Sequence, residues 1–207
     1  MMGALRNGSP VAPPVRRAVD RALAAGGEAL TAMIGRPVSM TAPLVELVPL
    51  GAVPGLAGSP DRPLVAIYLG ISGDFSGHLV FLLSEASAVN LMAALLAERA
   101  AAALTMTALQ RSALAEVGNV SGSAFLNALA DAAQMRIVPA APLIVCDMAG
   151  AILDGMLADI GRTTDRALVI HTRFNAAGAD AIAGYFLLLP DADGLARVCR
   201  ALEAESG

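Results

Sequence analysis

GYFLLLPD (184–191) and GHLVFLLS (77–84) are two versions of one segment, 107 residues apart. A second match stands at an offset of 99, where Asn127-Ala128-Leu129 falls on Glu28-Ala29-Leu30, Ile137 on Val38 and Pro142 on Pro43. Two offsets of nearly equal size mean an internal duplication, which has to be recognised before any fold is assigned. Around these anchors each half reads helix, strand, variable element, two strands, helix. The first repeat covers about 13–103 and the second about 104–207, within a single domain over 13–207. Residues 1–12 are punctuated by Gly, Pro and Ser and are expected to be loose. Neither half alone can bury one face of its strands. The expected fold is therefore α+β, a pseudo-two-fold duplication with one fused mixed or antiparallel sheet and the long helices packed on it.

The elements follow from local chemistry. Pro13-Pro14 opens a helix that runs to Ile34 and stops at Gly35, ahead of Pro37. An extended run covers 38–49, a Gly/Pro loop with one short turn 51–62, and two strands 64–71 and 77–83 joined by a hairpin at 72–76. Ser84 caps a helix expected to reach about Ala103. Thr107 and Gln110 form a capping box that opens a helix ending near Ala133. A strand over 136–148, a short helix over 149–161, strands at 166–174 and 181–189, and a last helix complete the chain.

Composition excludes several classes. The formal charge is −4 and the pI near 5.1, which argues against a nucleic-acid binder. Mean hydropathy is +0.64, inflated by Ala and Gly, and no stretch offers about 18 continuous strongly apolar residues, so membrane insertion is not expected. The start lacks an apolar signal core, and the expected location is cytoplasmic. Cys146 and Cys199, far apart and with apolar neighbours, read as buried free thiols. His78 and His171 lie in strands without metal-ligand spacing, so no metal site is expected. Gly70, Gly73 and Gly77 belong to the hairpin, Asp147 to a helix start, Met148 and Met156 to the core, and Glu203 and Glu205 to a solvated tail.

SALAEVGNVSGSAFLN (112–127) is the chemically informative stretch. At about 100° per residue, Ser112, Glu116, Asn119, Ser123 and Asn127 share one side of a helix. Gly118 and Ser121 lie on the packing side and let the helix sit close to the sheet. One carboxylate beside one carboxamide makes neither a glycosidase pair nor a triad nor a metal set. Asn cannot act as a base at neutral pH, but it can hold a water in line with an electrophile. Glu can pair with a cation of a partner. By spacing alone, a solvated helix face and half of an intermolecular site both remain open.

Ser112-x3-Glu116-x2-Asn119-x22-Pro142 resembles the signature of the CheC/CheX/FliY phosphatases of bacterial chemotaxis. ALAEVGNVSGSAFLNALAD (113–131), CDMAGAIL (146–153), ALVIHTRF (167–174) and GDFSGHLVFLL (73–83) are similar to further segments of CheC, over roughly 15–204 in all. The resemblance implies a hydrolase that dephosphorylates a phosphorylated CheY-like response regulator. Glu116 and Asn119 would be the catalytic pair, Ser112 a supporting polar residue and Pro142 a structural one. No cofactor of the chain's own is implied, since the aspartyl phosphate and its Mg²⁺ belong to the substrate. CheC relatives also partner the receptor deamidase CheD, so an adaptor with little or no catalysis is the alternative. A FliY- or FliM-like switch component or a CheX-like dimer is expected to fit less well, because the CheC-like duplication is intact and the 207 residues read leave no room for a rotor domain. In the first half, the 99 offset puts Pro13, Arg17 and Asp20 at the positions of Ser112, Glu116 and Asn119. Arg17 and Asp20 make that site degenerate, which departs from relatives with two working sites.

Overall fold

The computed structural model describes residues 8–96, 105–161, 164–176 and 182–204. The chain runs β1 (Ser9–Pro10), α1 (Pro13–Ile34), β2 (Val38–Pro49), a 3-10 helix (Leu50–Leu56), β3 (Pro63–Gly73), β4 (Gly77–Ser84) and α2 (Glu85–Leu96). It continues with α3 (Ala108–Ala133), β5 (Ile137–Pro139), β6 (Leu143–Met148), α4 (Ala149–Ile160), β7 (Arg166–Ala176), β8 (Ile182–Pro190) and α5 (Ala192–Ala204). The expected continuation of α2 beyond Leu96 lies outside the described residues.

All eight strands join one sheet, in the order β1-β2-β7-β8-β4-β3-β5 with β6 also on β3. Every pairing is antiparallel. The two-fold is visible in the ladders. β4 pairs β8 at the centre, each is flanked by its own hairpin partner, β3 or β7, and β6 and β2 lie beyond. Val80 faces Leu187 in the central ladder, and these two residues are 107 apart. The pseudo-axis therefore passes through that pair. The helices obey the second offset: Gly35 and Gln134, 99 apart, are both left-handed C-caps, with φ of 71° and 50°.

Both faces of the sheet are covered, so β3, β4 and β8 read as nearly continuous apolar runs rather than alternating ones. On one face Val65, Ile67, Leu69, Leu79, Phe81, Phe186 and Leu188 pack under α1, α2, α3 and α5. On the other, Leu64, Ala66, Val80, Leu82, Tyr185 and Leu187 pack under α4 and the 3-10 helix. Phe81 stands between Phe174 and Phe186 at ring separations of 5.0 and 4.7 Å, and Phe125 of α3 meets Phe186 at 5.6 Å. Burial of each such side chain contributes about 1.5–3 kcal/mol.

Two expectations are corrected. The single strand over 136–148 is two strands, because Pro142 has no N–H for the ladder and three residues, 140–142, bulge opposite two of β3 between Ile71↔Pro139 and Tyr68↔Leu143, with the Ala140 N–H still donating to the Gly70 carbonyl. β2 shifts register in the same way between Thr41 and Leu44, at Pro43. The segment expected to be loose is tied down over Ser9–Pro10, which pair with Leu47 and Glu46, while the short turn expected in the 51–62 loop is the 3-10 helix. Gly73 is required at its turn: with φ 124°, any Cβ would lie 2.2 Å from the Arg136 carbonyl oxygen.

Candidate functional site

α3 starts on the capping box the sequence signals. Thr107 Oγ1 accepts the Gln110 N–H at 3.2 Å, and Gln110 Oε1 accepts the Thr107 N–H at 2.9 Å. The helix is thereby fixed one turn before Ser112, and Ser112, Glu116 and Asn119 project from its interior turns. Its inner side is apolar and small: Leu114, Val117, Gly118, Ser121, Gly122 and Phe125 are buried. A Cβ on Gly118 would lie 2.4 Å from Ile67 Cγ2, and one on Gly122 3.0 Å from Leu69 Cδ2. The glycines let α3 lie directly on β3. Ser121 has a different role from the one expected. Its hydroxyl donates to the Val117 carbonyl at 2.6 Å, and its own carbonyl abuts Gly26, so it serves the contact with α1.

The outward side carries the candidate chemistry. Ser112, Glu116 and Asn127 are exposed, and Asn119 and Ser123 are half-buried. None of the five side chains has a hydrogen-bond or ion-pair partner among the described residues. Glu116 and Asn119, three apart on a helix, have Cβ atoms about 5–6 Å apart. The result is an exposed carboxylate beside a half-buried carboxamide on one helix face. Pro142 stands in the bulge between β5 and β6.

Arg111, which the sequence reading passed over, flanks the site. Its guanidinium reaches Cys146 Sγ of β6 at 3.7 Å. Burial pushes the Cys146 thiol up, and Arg111 partly offsets that rise. Cys199 is raised by burial as well, with Glu203 adding to the rise and Arg166 opposing it. Both cysteines are free, as expected, though half-buried rather than fully buried.

The matching face of α1 is occupied differently. Arg17 and Asp20 are exposed. Asp20 is engaged by Arg16 at 2.9 Å, and Arg16 also donates to the Ala42 carbonyl of β2 at 2.6 Å. The i, i+4 spacing of Arg16 and Asp20 was readable in the sequence. The pair His171–Glu46 was not: it joins β7 to β2 at 2.8 Å across 125 positions, with Glu46 buried. Among the described residues no group of His, Cys, Asp and Glu could hold a metal ion, and no helix is long and apolar enough to cross a membrane.

Relatives share this architecture. The FliY structure from Thermotoga maritima superposes with a TM-score of 0.73, covering 94% of this chain and 98% of that one, at 14% identity. The FliM middle domain from H. pylori superposes with a TM-score of 0.61 over 91% of this chain and 95% of that one, at 8% identity. The chain therefore shares the fold of these FliY and FliM structures. In sequence it is 26% identical over 179 residues to the CheY-P phosphatase CheC of Bacillus subtilis (strain 168), covering 85% of this chain and 86% of that protein. No family model matches this chain.

Proposed function

We propose that this chain acts in chemotaxis as a phosphatase of a phosphorylated, CheY-like receiver, with α3 as the working helix. The observation that carries the reading is the state of Glu116 and Asn119: adjacent on one helix face, open to solvent and uncommitted within the chain. Likeness to a protein named CheY-P phosphatase supports the choice of substrate.

Hydrolysis of an acyl phosphate needs a water in line with the acyl oxygen–phosphorus bond. A new bond forms from the water oxygen to phosphorus, and the carboxylate of the receiver leaves with the electrons of the broken bond. Asn119 accepts a hydrogen bond from that water through Oδ1 and directs its lone pair at phosphorus. Its Nδ2 donates to an oxygen of the transition state, where a fixed donor counts most. Glu116 pairs with a cation of the receiver and sets the docking register. Ser112 supplies a further hydrogen-bonding group at the rim. The Mg²⁺ that offsets phosphoryl charge arrives with the substrate, so positioning and electrostatics are what α3 has to provide.

α1 has no such group. The Asp20 carboxylate adds negative charge where a phosphoryl group would sit, and Arg16 already holds it. Each chain thus engages one receiver. The residues form one domain of two repeats, the second of which bears the site, and Pro142 acts through the bulge that separates β5 from β6 on β3.

The test is phosphate release from phosphorylated receiver with wild type and with Asn119→Ala. Wild type accelerates release and the variant does not. Equal release by the two proteins removes Asn119 from catalysis. An adaptor role for CheD separates from catalysis if Glu116→Lys stops turnover while a CheD complex survives.

A further inference from the structure

On the sheet face opposite α3, a cleft of about 430 Å³ opens between α4 and the corner formed by β3, β4 and β6. Leu143, Ile152 and Met156 give it apolar walls, while Tyr68, His78 and Asp159 bring polar groups to it. None of those three side chains has a hydrogen-bond or ion-pair partner among the described residues. Burial holds the Tyr68 phenol at about 12, so it keeps its proton at neutral pH.

Two observations indicate that the cleft is more than a packing defect. Gly155 lies in the interior of α4, where glycine weakens a helix. No close approach explains it, since a Cβ there would meet nothing within 4 Å. The room it leaves belongs to the cleft. The other half also shows what the same corner looks like when used internally. Tyr185, the counterpart of His78 at the 107 offset, is buried edge-on against His171 at 4.8 Å, and His171 is tied to Glu46. There the polar groups are committed to each other; beside α4 they are not.

We infer that this cleft binds a small, largely apolar molecule carrying one cationic amine. The volume is in the usual range for small-molecule sites, and an apolar lining with a few convergent polar groups is their usual chemistry. Asp159 is the one carboxylate among the described lining residues, and no Arg lines the cleft with it. A ring or short alkyl body packs against Leu143, Ile152 and Met156, and the amine meets Asp159. The inference does not depend on the role of α3.

Three probes with one ring system test it by calorimetry and amide chemical-shift titration of the full chain: tryptamine, indole and indole-3-acetate. Tryptamine saturates with shifts confined to α4, β3, β4 and β6, roughly tenfold tighter than indole, and indole-3-acetate is the weakest. Asp159→Asn, at an exposed site, brings tryptamine to within about twofold of indole. Gly155→Leu, whose Cβ has open space, extends a side chain into the cleft and abolishes binding of all three, with an unchanged amide spectrum elsewhere. The inference is overturned if no probe saturates, if indole-3-acetate binds as tightly as tryptamine, or if Gly155→Leu binds like wild type.

Discussion

α1 and α3 are the same helix twice, and they differ at three places. At the start, α1 opens on Pro13-Pro14 with no side-chain cap, whereas α3 begins further upstream on a full capping box. On the inside, Val19 and Leu23 of α1 are fully buried where α3 has Gly118 and Gly122, so α3 comes closer to the sheet. On the outside, Asp20 is tied to Arg16, while Asn119 is tied to nothing among the described residues. Both outer faces are polar. What separates them is whether the polar groups remain available: the α1 face satisfies itself, and the α3 face needs a partner.

The largest effect expected from breaking this contrast is on turnover. Asn119→Ala lowers phosphate release from the receiver on the order of 10²–10³-fold, the usual loss when a fixed transition-state donor is removed. Asp20→Ala leaves the rate at the wild-type value. A parallel loss in both variants would mean that α1 also works.

Stability effects come next, and they have opposite causes in the two helices. Leu23→Ala leaves a cavity and costs about 2–5 kcal/mol. Gly118→Val drives a side chain into Ile67 and costs about 1–3 kcal/mol by overpacking. Urea denaturation of both variants reads the difference, and a neutral Gly118→Val would show that α3 can lift off β3 freely.

Smaller changes are expected at the helix starts. Thr107→Ala removes the cap and costs about 1 kcal/mol, and Ala12→Ser, which offers α1 the cap it lacks, stabilises by a similar or smaller amount. Thermal melting detects both. The ion pair on α1 is exposed, so Asp20→Ala changes stability by less than about 1 kcal/mol.

Thiol reactivity probes the flank of the site. Burial raises Cys146 and Arg111 opposes the rise, so Arg111→Ala raises it further and slows alkylation at neutral pH. Reactivity recovers as pH climbs past the ordinary thiol range, where the thiolate forms. An unchanged rate would mean that the guanidinium does not rest on Cys146.

Local signals in the chain survived folding well. The capping box, the glycine stop of α1 and the strand runs all stand within a few residues of their expected ends, because each rests on backbone chemistry within one turn. The duplication survived too, since an offset is a property of the string. Misreadings arose where neighbours along the sheet intervene. Pro142 split an apparent strand because β3 was pairing with both sides of it, and Ser121 turned toward α1 rather than the sheet.

The amino-acid order alone determined the repeat, the amphipathic face of α3 and the chemical unlikeness of Glu116/Asn119 and Arg17/Asp20, all of which are set by side-chain type and helical period. Only the tertiary structure decided which polar groups stay free. Commitment depends on what lies within about 3 Å in space, as with Arg16 at the Ala42 carbonyl or Glu46 beneath His171, and short-range contacts between distant positions leave no trace in sequence spacing.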